Sequence, residues 1–316
     1  MSLNWVTNFL DWFRPPTPVV PENQVSPELL QKVRAIQVKT NYLANDLMTG
    51  EYVSAFKGRG MEFSEVREYQ PGDDIRLIEW NVTARMGQPY IKEFKEEREL
   101  TSMLLVDVSS SGEFGSVGKL KNEVAAEIAS ILAFAAIKNN DKIGLIVFSD
   151  IIEHYIPPKK GKAHVWNIIR TILDFNPEGK GTNLNLPLEY LINIQKRKTV
   201  TFLISDFQAK GYENTLKLAK QKHDIIALRV VDPREWDLPN VGLAHLQDAE
   251  TGESILIDTA DRGMVKQFSQ LCKKEFLKMK TFFNSIGIDI IEIRTDRPLV
   301  EPIIRYFKVR EKRRGI

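Results

Sequence analysis

The run Leu104-Leu105-Val106-Asp107-Val108-Ser109-Ser110-Ser111 ends an apolar, strand-like stretch in a carboxylate, with hydroxyls two and four residues further on. In open α/β sheets, ligands bind in the crevice beyond the carboxyl ends of parallel strands. A carboxylate beside two hydroxyls is a set of hard oxygen donors suited to Mg²⁺, Mn²⁺ or Ca²⁺. Asp and Ser are also ordinary turn and cap residues, so the pattern gains weight only if other segments bring oxygens to the same edge. Two segments are placed to do so. The loop Glu178-Gly179-Lys180-Gly181-Thr182-Asn183 precedes a helix-like segment, so Thr182 is either a cap or a ligand. The apolar run 199–204 ends in Ser205-Asp206-Phe207, a second Asp after a second strand. If those strands are adjacent, Asp107 and Asp206 supply charge while Ser109, Ser111 and Thr182 supply neutral oxygens. A divalent ion held mainly by hydroxyls and waters stays electrophilic and keeps room for one more anionic ligand. A Glu or Asp of another protein is such a ligand, and a site of this kind recognises rather than reacts.

The elements that must position these residues alternate along the chain. Strand-like runs at 102–106, 143–148, 200–204, 225–230 and 288–293 are separated by helical stretches near 120–138, 163–175, 213–221 and 262–286. This predicts a largely parallel sheet with helices on both faces. Residues 151–156, close behind the second strand, predict a hairpin return and hence one antiparallel edge strand. Residues 242–247 and 254–257, joined through Glu250-Thr251-Gly252, predict a second hairpin before the last long helix. Between Gly50 and Glu97, turn signals such as Pro71-Gly72-Asp73-Asp74 and Met86-Gly87-Gln88-Pro89 punctuate short β-prone pieces. This predicts a small β-containing module. Its charges (Arg67, Glu68, Asp73, Asp74, Arg76, Glu79, Arg85) are expected in part to pair with one another, and their structural explanation is a salt-linked interface with the sheet.

At the N-terminus, Trp5, Phe9, Trp12 and Phe13 share one face of a short helix, followed by a proline-rich connector over 15–21. That face either docks on the protein's own body or contacts a membrane surface or partner. Ser26-Pro27-Glu28 reads as a helix start, with the helix running to about Asp46. The organisation expected is therefore 1–21 aromatic helix and connector, 22–99 helix plus small module, 100–295 α/β domain, and 296–316 an extension with a basic, solvated tail at 308–314.

Composition narrows the function. A net charge of +2 over 316 residues argues against a dedicated nucleic-acid binder. A single cysteine, Cys272, allows no internal disulfide, and the four scattered histidines show no metal-ligand spacing. No apolar run is long enough to span a membrane, and the N-terminus lacks the pattern of a secretory signal. A cytoplasmic location is the expectation.

The order Asp107-x-Ser109-x-Ser111, Thr182, Asp206 resembles the metal-ion-dependent adhesion site of von Willebrand factor A domains. Upstream, Gly58-Arg59-Gly60-Met61-Glu62-Phe63, Arg67-Glu68-Tyr69, Pro71-Gly72-Asp73-Asp74, Arg76, Trp80 and Ala84-Arg85 resemble the bacterial family called domain of unknown function 58. That family couples such a segment to an A-type domain. Glu79 stands where the family usually has Asp, Asn183 where Asp is common, and Gly112 where Met is frequent. The resemblance implies a Rossmann-like A-type domain with Mg²⁺ at Asp107, Ser109, Ser111, Thr182 and Asp206, and Mn²⁺ or Ca²⁺ able to substitute. It also implies a protein partner offering Glu or Asp, plausibly a MoxR-type AAA+ ATPase or its client. The competing reading is a Mg²⁺-dependent hydrolase with Asp107 as nucleophile or base. Against it, no Asp-x-Asp follows the first strand, Gly118-Lys119 falls short of a phosphate-binding loop, and no Gly-x-Ser-x-Gly elbow is present.

Overall fold

The computed structural model describes residues 61–96, 100–116, 118–250 and 252–314. The expected aromatic helix, the proline-rich connector, the helix from Ser26 to Asp46 and the Gly58-Arg59-Gly60 turn lie outside the described residues. The chain forms two compact units, one spanning 56–100 and the other containing 101–316.

In the small unit, β1 (Met61–Glu68) pairs antiparallel with β2 (Tyr90–Glu96), with a bulge between Phe63 and Glu65. Helix α1 (Trp80–Met86) lies between them in sequence. Its N-cap is the Glu79 carboxylate, which accepts from the Asn81 amide, and Gly87 ends it with φ +74°, a conformation that favours glycine. Arg67 forks onto Asp73 through two bonds of 2.8 Å, and Lys92 meets Glu79 at 2.7 Å. These charges pair within the unit itself.

The large unit is built on a six-stranded sheet of order β10-β7-β6-β3-β4-β5. Its strands are β3 (Thr101–Asp107), β4 (Lys142–Phe148), β5 (Ile152–Lys159), β6 (Val200–Ser205), β7 (Asp224–Val231) and β10 (Asp289–Arg294). All neighbours are parallel except β4 and β5, so the antiparallel strand forms one edge, as the hairpin signal predicts. β3, β6 and β7 are buried almost throughout and read as unbroken apolar runs, the pattern of strands covered on both faces.

Alternation sends successive side chains to opposite faces. Met103, Leu105, Leu203 and Ala227 join a core with Leu188 and Leu191 of α4 (Asn185–Ile194), Leu216 of α5 (Glu213–Lys222) and Phe283 of α6 (Arg262–Ser285). Helix α2 (Lys121–Lys138) packs against β3, β4, β6 and β7 and against α3 (Lys162–Leu173). From Val124 to Ala136 α2 is buried all round, which its run of Ala and Ile permits.

Strands β8 (Leu243–Gln247) and β9 (Ser254–Asp258) form a separate hairpin. The chain then closes with α7 (Val300–Arg314), which seats Ile303 and Phe307 in the core. The basic run expected as a solvated tail is the end of this helix. Amphipathic spacing turns Arg310 inward, where it pairs with the half of Asp224 that Lys220 leaves open. Among the described residues no helix is long and apolar enough to cross a membrane.

Candidate metal centre

β3 and β6 are adjacent and in register, Val106 opposite Ile204. Their carboxyl ends therefore set Asp107 beside Ser205 and Asp206, as two acid-terminated strands require. Asp107 is only 8% exposed. Its Oδ1 accepts from the Ser109 amide at 3.0 Å and its Oδ2 from the Ser205 hydroxyl at 2.6 Å. Burial, and then the nearby Asp206 charge, push its pKa up to about 6 despite those hydrogen bonds. The chain next makes a short 3-10 turn over Ser110–Glu113, which brings the Ser109 and Ser111 hydroxyl oxygens to 3.1 Å. Neighbouring oxygens around an octahedral Mg²⁺ are about 2.9 Å apart, so this spacing suits two ligands of one ion.

Asp206 is held by a different set of contacts. Lys121 sits at the first position of α2, 4% exposed, and its ammonium bonds Asp206 Oδ2 at 2.7 Å and Glu235 Oε1 at 2.5 Å. Burial alone would lower the Lys121 pKa, but the two carboxylates hold it above its usual value. Asp206 Oδ1 accepts from the Gln208 amide at 3.1 Å, and its backbone carbonyl accepts from Arg229 Nε at 3.2 Å. The Arg229 guanidinium lies 5.2 Å and 4.7 Å from the rings of Trp236 and Phe276, a stacked and buried setting. Immediately after Asp206, Phe207 has φ +59°, a left-handed conformation that an aromatic residue rarely adopts. Its ring is fixed edge-on to Phe283 at 5.3 Å and its amide donates to Ser205 Oγ, so packing imposes the turn that aims Asp206.

Asp107, Ser109, Ser111 and Asp206 line one cavity of about 20 Å³, together with Gly112, Lys121 and Asn122. That space admits about one water or one ion. Asn122, one of the lining residues, has a buried Oδ1 with no hydrogen-bond partner among the described residues. An orphaned acceptor beside two hydroxyl oxygens and a carboxylate suits a cation, which needs no proton to satisfy it. Gly112 keeps the turn close to α2, since a Cβ there would meet Asn122 Cβ at 3.2 Å. Among the described residues no group of three His, Cys, Asp or Glu side chains is placed to hold a metal. An ion here would lean on hydroxyls.

Thr182 is not among the residues lining the cavity. Its loop is nonetheless tied to the first motif, because the Ser110 amide donates to the Lys180 carbonyl at 3.0 Å. On its other side the Gly179 amide donates to Glu153, and a Cβ at Gly179 would fall 2.1 Å from Asp150 Oδ1. The N-cap of α4 is Leu184, and the residue before it, Asn183, accepts from the Asn185 amide. The Thr182 hydroxyl donates instead to Glu250 Oε1 at 2.6 Å. Lys121, Asn122, Ser205 and Glu235 are site residues that sequence reasoning misses. The one available signal is a lysine opening a helix otherwise rich in Ala and Ile.

Residues 65–276 match the sequence model of a family described as "Protein of unknown function DUF58". The "Uncharacterized protein Rv1480" of Mycobacterium tuberculosis (strain ATCC 25618 / H37Rv) is 29% identical over 294 residues, covering 92% of this chain and 91% of that protein. Among solved structures, BatB from Bacteroides thetaiotaomicron is 18% identical, covers 67% of this chain and 99% of that chain, and has a TM-score of 0.43. The SpRpn10 VWA domain is 11% identical, covers 66% and 95%, and has a TM-score of 0.37.

Proposed function

The chain belongs to the family described as "Protein of unknown function DUF58", and on that footing we propose that it is a metal-dependent protein-interaction module. The observation that carries the reading is that Asp107, Ser109, Ser111 and Asp206 line one small cavity, whose wall also includes Asn122 with its buried, unpartnered carbonyl oxygen. Asp107, Ser109 and Ser111 would hold the ion. Asp206 is ion-paired to the Lys121 ammonium, so it contributes charge from behind them. The ion, when bound, supplies an open coordination position for an anionic oxygen.

The remaining residues keep the cavity shaped for that role. Ser205 orients Asp107, the 3-10 turn sets the serine pair, and Lys121 keeps Asp206 from turning into the cavity. Mg²⁺ is the ion favoured by availability, with Mn²⁺ and Ca²⁺ as substitutes. The partner is a protein presenting Glu or Asp, and the family resemblance points to a MoxR-type AAA+ ATPase or its client. A hydrolase using Asp107 as nucleophile draws less support, because no Asp-x-Asp closes β3 and the chain carries neither a phosphate-binding loop nor a Gly-x-Ser-x-Gly elbow.

The test is a Mn²⁺ titration of the purified chain, followed by water-proton relaxation, with Asp107→Ala and Asp206→Ala alongside. Saturable binding lost in both variants, with the circular dichroism of the wild type retained, supports the reading. Binding indistinguishable among the three would mean that these oxygens only cap and turn.

A further inference from the structure

The hydrogen bond between Thr182 and Glu250 joins residues 68 apart in sequence. Glu250 lies in the turn between β8 and β9, and that turn is organised around Asp248. The Asp248 side chain accepts from the Glu250 amide at 2.8 Å and its carbonyl from the Gly252 amide at 2.9 Å. The Asp248 amide in turn donates to the Glu253 carbonyl at 2.8 Å. At its base the hairpin is clamped by Thr259, which bonds Gly242 through both its amide and its hydroxyl and accepts from the Val241 amide. Between base and tip the strands lie open, with Leu243 70%, Ile255 61% and Leu256 63% exposed. The hairpin is thus an arm fixed at its root and set down at its tip through one carboxylate.

The place where that carboxylate lands decides its meaning. The Thr182 loop is bonded to the Asp107–Ser111 turn through Ser110 and Lys180, so Glu250 is tied through Thr182 to the loop that adjoins the candidate centre. A centre that takes an acid from a partner would therefore have an acid of its own chain bonded to the neighbouring loop. Resting on the metal reading above, we propose that Glu250 is an intramolecular acidic ligand of this centre. The hairpin tip fills the place of the partner's carboxylate, and a partner's Glu or Asp binds by displacing it. Without an ion, the Thr182 hydroxyl holds Glu250 in position.

Two substitutions at this exposed position separate the role from a merely structural one. Glu250→Gln keeps an oxygen that can accept from Thr182 but removes the charge, while Glu250→Ala removes both. The probe is Mn²⁺ alone with the full chain, read as water-proton relaxation enhancement per bound ion, with Asp107→Ala and Ser109→Ala as site controls. Losing an internal ligand admits one more exchanging water, so both Glu250 variants should give about 1.3- to 1.5-fold higher enhancement for an ion that otherwise keeps two or three waters. They should also bind Mn²⁺ more weakly. Equal enhancement and affinity in wild type and Glu250→Gln, with binding lost in the site controls, would overturn the Glu250 assignment and leave the metal centre standing. Wild type that fails to bind Mn²⁺, or controls that bind it unchanged, would overturn the centre and this assignment with it.

Discussion

Asp107→Asn should raise the stability of the ion-free protein while abolishing its response to metal. Raising a buried carboxyl from 3.8 to about 6 puts about 3 kcal/mol of penalty on its ionised form. The amide escapes that penalty. It exchanges one accepting oxygen for a donor, and Ser205, which also receives the Phe207 amide, must then reorient, at about 1 kcal/mol. A net gain of about 1–2 kcal/mol remains at pH 7.5, a rise in Tm of about 3–6 °C for a unit of this size. Saturating Mn²⁺ at a hundred times its Kd adds about 2.7 kcal/mol to wild type and nothing to the variant. In thermal melts the order should reverse: Asp107→Asn higher in chelator, wild type higher in Mn²⁺. Because folding raises this pKa, the stabilising contribution of Asp107 in chelator is complete below pH 3.8 and lost as pH rises through 6. Wild type should therefore approach the variant as pH falls from 7.5 to 5. A variant that melts below wild type in chelator at pH 7.5, or that gains as much from Mn²⁺, would refute the reasoning.

Mn²⁺ affinity should fall as pH drops through about 6, where a proton competes for Asp107, and a pH series of the same titration would show it. Lys121→Met removes the ammonium shared by Asp206 and Glu235. It should cost about 3–5 kcal/mol in denaturant unfolding, because two carboxylates are left without their counter-charge; a loss below 1 kcal/mol would mean the pair is open to water. Phe307→Ala, at a fully buried position of α7, should cost about 3–5 kcal/mol by the same assay, and a neutral result would show that this helix is not part of the folded unit. Gly179→Ala should weaken Mn²⁺ binding without abolishing folding, since its methyl displaces the loop that carries Thr182 away from Asp150. Unchanged affinity would show that the loop position does not matter to the centre.

Most of the sheet is legible in the sequence because its determinants are local. Each parallel strand is an apolar run bounded by turn residues, and Asp107 and Asp206 each close one. The adjacency of β3 and β6 brings those ends together. The two hairpins show in the same way, through short β-prone pairs around turn residues. The site's supporting residues are a different matter. Lys121 at the start of a helix reads as a solvent-facing cation, and only the arrival of Asp206 and Glu235 from two other segments turns it inward. Thr182 reads as a cap or ligand, yet the N-cap is Leu184 and the Thr182 hydroxyl goes to a residue on a distant hairpin. Arg310 looks like part of a charged tail until α7 docks and presents Asp224 to it. In each case the partner is far along the chain, and spacing carries no information about it.

Lys121 also determines what the protein is between encounters. The Lys121 ammonium pairs with Asp206 and Glu235 in the ion-free protein, so the repulsion left in an empty centre is that between Asp206 and Asp107. Only Asp107 is left to respond. Folding would then not require an ion, although a bound ion would add to stability, unlike small metal-nucleated domains that unravel when stripped. If the centre binds as proposed, chelation would silence recognition reversibly and leave a folded chain able to engage again once ion and partner return.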